Sequence, residues 1–230
     1  MSTPLTNIEK HPLIWRASQP QQGAHRLPTG HSQLDQALMG GLPVKGLIRI
    51  RSQLGIGEVS VLTSVIKGIA PHKLLMWINP PGNLHASWLQ QQNIAAQQVY
   101  VVQPDNDIDA LWACEQSLKS EACYIVLIWQ SRMGNKAARR LQLAAAQHNT
   151  LCIYFESDAV TRQPLPLALD IELQTQRHGL TANIVKNQGS WPKEGIPVEL
   201  THTPSNKEII LAMQENPAEI VDISSLVKAG

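Results

Sequence analysis

Residues 27–66 read LPTGHSQLDQALMGGLPVKGLIRIRSQLGIGEVSVLTSVI, and they decide the fold. Gly46–Arg51 is a short, apolar-rich run followed by a loop holding Gly55 and Gly57, which predicts a strand that ends in a glycine turn. From Glu58 to Ile69, residues Val59, Leu62, Val65, Ile66 and Ile69 recur at helical spacing, which predicts a helix with one buried stripe. Strand, glycine loop and helix in this order form the layout in which backbone N–H groups and a helix N-terminus cradle an anion.

The same alternation continues outward. Leu74–Ile78, Val99–Val102, Tyr124–Ile128 and Leu151–Phe155 read as strands, and Leu84–Gln91, Ile108–Leu118 and Asn135–Gln147 as helices between them. Strand and helix alternating at this length imply an α/β fold, a mostly parallel sheet covered by helices on both faces. Beyond Phe155 the pattern changes. Leu169–Gln174 and Thr181–Lys186 flank the turn Arg177-His178-Gly179, and Pro197–Thr201 follows, which predicts an antiparallel extension of the sheet. Residues 1–24 hold three prolines and little periodicity and read as an extended arm around Leu13-Ile14-Trp15. The α/β domain then occupies 25–202, and 203–230 reads as a tail with apolar clusters that include Ile220, Ile223 and Leu226.

Composition narrows the function classes. Of the 230 residues, 43% are apolar and 16% charged, as in a globular chain, and the net charge of +1 provides no global attraction to nucleic acid or to an anionic membrane. Cys114, Cys123 and Cys152 stand singly in apolar surroundings, without the spacing of a metal site, and read as buried free thiols. No run of 18 apolar residues and no signal-peptide order is present, so a soluble, cytoplasmic protein without a membrane role is expected. His72, His85, His148 and His178 have no acid or hydroxyl partner at motif spacing, and no catalytic residue or metal ligand is assigned. Trp77, Trp112 and Trp129 fall within strand or helix patterns and are expected in the core. Trp15, beside Arg16 in the polar arm, is either an interface anchor or packs back on its own domain.

The order of these segments resembles the RecA recombinase core. The approach TG…LD.AL..GGLP.G ending at Gly46 carries the resemblance, which continues through Trp77–Leu84, Gln103-Pro104-Asp105, Tyr124–Trp129 and Met133–Phe155 and so covers most of 27–187. Within that superfamily HPLIWRAS at 11–18, GIGE at 55–58, ALWACEQSL at 110–118 and RLQLAAA at 140–146 resemble the ImuA family, RecA-like accessory proteins of bacterial translesion synthesis related to the division inhibitor SulA. The resemblance implies a RecA-like core of phosphate-loop type.

It also shows what is missing. A working loop needs G-x-x-x-x-G-K-[ST], but Ser52 stands for the first glycine, Glu58 for the lysine and Val59 for the hydroxyl residue. A carboxylate about 4 Å from a phosphate oxygen costs on the order of 4 kcal/mol at an effective dielectric of about 20. By the same resemblance, Pro81 stands for the water-activating glutamate and Trp129 for the acid that ends the magnesium-binding strand. With these groups absent the chain is expected not to be an enzyme and to need no cofactor. Glu58 is expected in the first helical turn as an internal anion in the place of phosphate, with Gly55 and Gly57 kept for the tight turn; residual anion binding by the loop is the alternative.

The two DNA-binding loops of the RecA core look shortened here. Arg132, Lys136, Arg139 and Arg140 nevertheless form a basic stripe that is either an ordinary solvated face or a phosphate contact. The resemblance therefore implies a non-catalytic adaptor of the SOS DNA-damage response that binds an ImuB-like Y-family partner, RecA and an error-prone polymerase, with DNA binding weak or absent. Ile14, Trp15, Arg16, Ile220, Ile223 and Leu226 are the candidate docking residues. The alternatives are a SulA-type inhibitor of FtsZ and a divergent ATPase.

Overall fold

The computed structural model describes residues 25–157, 163–176 and 179–200. The arm and tail, and with them Ile14, Trp15, Arg16, Ile220, Ile223 and Leu226, lie outside the described residues, as does the Arg177-His178 turn. In chain order the elements are β1 (Arg26–Leu27), α1 (Ser32–Ala37), β2 (Leu42–Pro43), β3 (Gly46–Arg51), a 3₁₀ turn (Ser60–Leu62) running into α2 (Thr63–Lys67), β4 (Leu74–Ile78) and α3 (Ala86–Gln91). There follow a one-turn 3₁₀ segment (Ala96–Gln98), β5 (Val99–Val102), α4 (Asp107–Lys119), β6 (Cys123–Gln130), α5 (Asn135–Gln147), β7 (Leu151–Glu156), β8 (Leu169–Gln176), β9 (Gly179–Asn187) and β10 (Lys193–Val198).

β1 and β2 form a small antiparallel ribbon. The other strands make one eight-stranded sheet in the order β10-β9-β8-β3-β7-β6-β4-β5. From β5 to β8 all neighbours are parallel, and β9 and β10 add antiparallel strands, as the change of pattern after Phe155 predicted. β3 and β7 are buried along their whole length; β7 accordingly reads as a nearly continuous apolar run, whereas β3 buries Arg49 and Arg51 at alternate positions. One face of the sheet packs Ile48, Ile50, Leu127 and Ile153 against Leu34 and Leu38, Val65 and Ile66 of α2 and Leu89 of α3. The other packs Leu47, Val126, Ile128 and Cys152 against Ala110, Cys114 and Leu118 of α4 and Ala138, Leu141 and Ala145 of α5.

Local chemistry accounts for the entry to β3. The Asp35 carboxylate accepts hydrogen bonds from the Thr29 N–H at 2.8 Å, the Thr29 hydroxyl at 2.7 Å and the Gly30 N–H at 3.2 Å, so the threonine and aspartate of TGHSQLD hold the start of α1. Gly41 has φ +124°, and a side chain there would strike the Leu27 carbonyl. α4 is capped by Asn106, whose Oδ1 accepts from the N–H groups of Ile108 and Asp109, each at 3.0 Å.

Four expectations need correction. The helix expected over Glu58–Ile69 begins only at Ser60, as a 3₁₀ turn, and is α-helical only over Thr63–Lys67; neither start has a side-chain cap, its valines and isoleucine are poor helix formers, and Gly68 follows. The helix expected from Leu84 begins at Ala86. The last strand is Lys193–Val198 rather than Pro197–Thr201, because a bulge between Lys193 and Ile196 shifts its register on β9. Trp112 is not a core residue. Ala110, Cys114, Ser117 and Leu118 point α4 inward, and 100° per residue carries Trp112 to the opposite side, where it is 62% exposed.

Candidate functional site

The loop after β3 leaves the strand at Ser52, whose N–H bonds the Glu156 carbonyl at 3.3 Å. It turns through Gly55 at φ +80° and Gly57 at φ +100°; a Cβ on Gly57 would lie 2.6 Å from Leu200. Glu58 is buried, and its Oε1 accepts from the Gly55 N–H at 3.4 Å. The carboxylate thus takes a backbone donor of the loop, and it does so from a turn ahead of the helix rather than from the first helical turn in which it was expected. Val59 is half-buried and packs on the core, offering no hydroxyl.

Pro81 and Trp129 meet Glu58 and Val59 at the carboxyl ends of the central strands. Two small cavities there, each about 170 Å³, share Pro80, Pro81 and Trp129; Leu54 and Phe155 line one, and Glu58, Val59 and Trp77 the other. Either is well below the roughly 300–1,000 Å³ of a typical ligand pocket. The space beneath is filled by aromatic rings. Trp129 stacks on Phe155 at 4.6 Å and on Trp77 at 5.3 Å, and Trp77 meets Trp88 edge-on at 6.3 Å. Asn79, at φ +54°, turns the chain after β4 and donates from Nδ2 to the Trp129 carbonyl at 3.2 Å. Of the sequence-predicted positions, Glu58, Val59, Pro81 and Trp129 therefore come together above packed side chains, whereas Ser52 lines a different cavity.

A second cluster was not anticipated. On the α4–α5 face of the sheet, buried Arg49 is held by Asp170 through Nε (3.1 Å) and Nη2 (2.7 Å), and by Glu156 through Nη1 (3.1 Å). The Tyr154 hydroxyl donates to Glu156 at 2.9 Å. Burial alone would lower the Arg49 guanidinium, but Asp170 and Glu156 outweigh it and its pKa rises. Burial pushes the Glu156 carboxyl up against the pull of Arg49, and pushes the Tyr154 phenol up as well. Arg51, also buried, lies 3.7 Å from both Asp170 and Glu172; among the described residues its Nε and Nη2 make no hydrogen bond. It lines a cavity of about 420 Å³ with Ser52, Gln53, Glu172 and Gln174. The signal was present as charges at alternate positions in GLIRIR and LDIELQ, the apolar residues between them facing the other side of the sheet.

The basic stripe is exposed. Arg140 bonds Glu115 at 2.7 Å, and Glu115 also holds Lys119 at 2.7 Å, while Arg132, Lys136 and Arg139 make no ion pair among the described residues. The three cysteines are buried free thiols, with Cys114 and Cys152 sulfurs 3.6 Å apart; that contact and burial push the Cys114 thiol up, away from reactivity. Among the described residues no helix is long and apolar enough to cross a membrane, and no group of three His, Cys, Asp or Glu is placed to hold a metal.

No protein-family model matches the chain, and neither does any curated protein. Among solved structures, SulA from Pseudomonas aeruginosa is similar over 48% of this chain and 97% of its own, at 16% identity and a TM-score of 0.42, a likeness too weak to fix fold or function.

Proposed function

We propose that this chain is a non-catalytic, RecA-like accessory protein of the SOS DNA-damage response, working in the cytoplasm as an adaptor that supports error-prone translesion synthesis by binding an ImuB-type Y-family partner and RecA. The observation that carries the non-catalytic reading is the bond from the Gly55 N–H to buried Glu58, which commits a donor of the phosphate loop to the protein's own carboxylate. Pro81 and Trp129, at the strand ends where the resemblance calls for acids, support it: neither can hold magnesium or activate water. A parallel sheet whose first strand feeds a glycine loop is compatible with a RecA-shaped body, and such a body without phosphoryl-transfer parts has docking left as its use.

The test is retention of purified RecA, ImuB-type protein and FtsZ on the immobilised full chain. Retention of RecA or the ImuB-type protein, weakened by deleting residues 1–24, is the expected result. Retention of FtsZ alone, with filamentous growth of overexpressing cells, replaces this reading by that of a division inhibitor.

A further inference from the structure

The outer surface of α4 and α5 carries features that the folded core does not use. Ile108 and Trp112 are 77% and 62% exposed and stand one turn apart on α4. On α5, Lys136, Arg139 and Leu143 share the outward face, and Arg132 precedes it in the short connection from β6. Segment 131–147 holds four cations and no acid. The first turn of α5 contains Lys136 where the helix dipole favours an acid, and its N-cap, Gly134, gives no side-chain bond. Lys136 therefore does nothing for the start of the helix that carries it.

The two faces are neighbours. The Arg140–Glu115 ion pair ties α5 to α4, and both helices start at the same edge of the sheet: α5 begins shortly after β6 ends, and Gln130 at the end of β6 donates to the Asp107 carbonyl at the start of α4. Counting back three residues from that ion pair sets Trp112 level with Ala137, one residue's rise of about 1.5 Å from Lys136. An apolar stripe thus lies beside a cationic stripe whose members, apart from Arg140, have no partner among the described residues.

The geometry points to this surface as a docking site for an acidic amphipathic helix of a partner protein, its apolar side chains on Ile108 and Trp112 and its carboxylates on Arg132, Lys136 and Arg139. Charge complementarity selects the acid, and the apolar stripe selects a peptide over nucleic acid. Ile108 and Leu143 offer phosphodiesters nothing, and Asp107 and Asp109, which flank Ile108, favour an occupant whose acids are confined to the side facing α5 over a backbone charged at every residue. The inference rests on the adaptor reading, but its test uses neither RecA nor an ImuB-type protein, so the two fail separately.

The test presents the full chain with a display library of helical peptides of about four turns with apolar and acidic faces, and with the same library carrying lysine at the acidic positions. Enrichment from the acidic library alone is expected, with the affinity of selected peptides, read by fluorescence anisotropy, falling at least about tenfold in both Trp112→Ala and Arg139→Glu. Both positions are exposed, so unchanged thermal melts of these variants separate lost binding from lost folding. No enrichment, enrichment from the basic library, or a loss below tenfold in either variant overturns the proposal, as does displacement of the peptide by oligothymidylate.

Discussion

Glu58 and Asp170 are buried to nearly the same degree, 5% and 4% exposed, yet they are satisfied in different ways. Glu58, over the face that carries Trp77 and Trp129, takes an N–H three residues away in its own loop. Asp170, on the other face, grips an arginine 121 residues away and so fastens β8 alongside β3. The first is a property of one turn, and the second helps set the register of the sheet. The contrast teaches that the Glu58 loop is satisfied locally, within a frame whose long-range ties lie elsewhere. A buried carboxylate is evidence of function only after its partner has been identified.

The sharpest way to break this contrast is to place an acid at Trp129, where the proposed RecA-like reading expects a magnesium-binding residue. Trp129→Asp removes a ring stacked between Trp77 and Phe155 and buries a charge in its place. Truncating such a tryptophan costs about 3–5 kcal/mol, and the unpaired carboxylate adds to that, so a loss of at least about 5 kcal/mol is expected in chemical denaturation of the full chain. A variant within about 1 kcal/mol of the parent that also binds magnesium would show that the aromatic filling is incidental. Next in size is Arg49→Ala, which leaves Asp170 and Glu156 buried without their cation and should cost about 3–5 kcal/mol. Adding Asp170→Asn should recover part of the loss, and additivity of the two substitutions would sink the proposed tie.

The distribution of partners also explains what could be read from the sequence. Strands β3, β4 and β5 and helix α5 were legible to the residue, because a short apolar-rich run and an amphipathic helix each write their pattern locally. The antiparallel extension was legible from its turn, but β10 was misplaced because a bulge leaves no periodic trace. At the candidate site, Glu58, Val59, Pro81 and Trp129 could be set side by side because a resemblance supplied their neighbourhood. The Arg49 cluster was missed for the opposite reason. Its members come from three strands, and no local pattern says that Arg49, Glu156 and Asp170 share one face of adjacent strands. Trp112 was misread because aromatic residues within a helical pattern suggest burial, whereas α4 already had a complete inner stripe of Ala110, Cys114, Ser117 and Leu118.

The smallest expected effect bears most directly on the loop. Glu58→Ala deletes one bond of 3.4 Å to a backbone donor three residues away, and its cost to stability should be about 1 kcal/mol or less. The same substitution removes a charge that opposes phosphate by up to about 4 kcal/mol at close range. Were repulsion the only barrier, a fluorescent ATP analogue with magnesium would then bind far more tightly. Pro81, Trp129 and cavities of about 170 Å³ remain, however, and the lysine and hydroxyl of a working loop are still missing, so no saturable binding is expected before or after the change. Micromolar binding by the variant would place the block in the single carboxylate and leave the rest of the site competent; micromolar binding by the parent would place it nowhere.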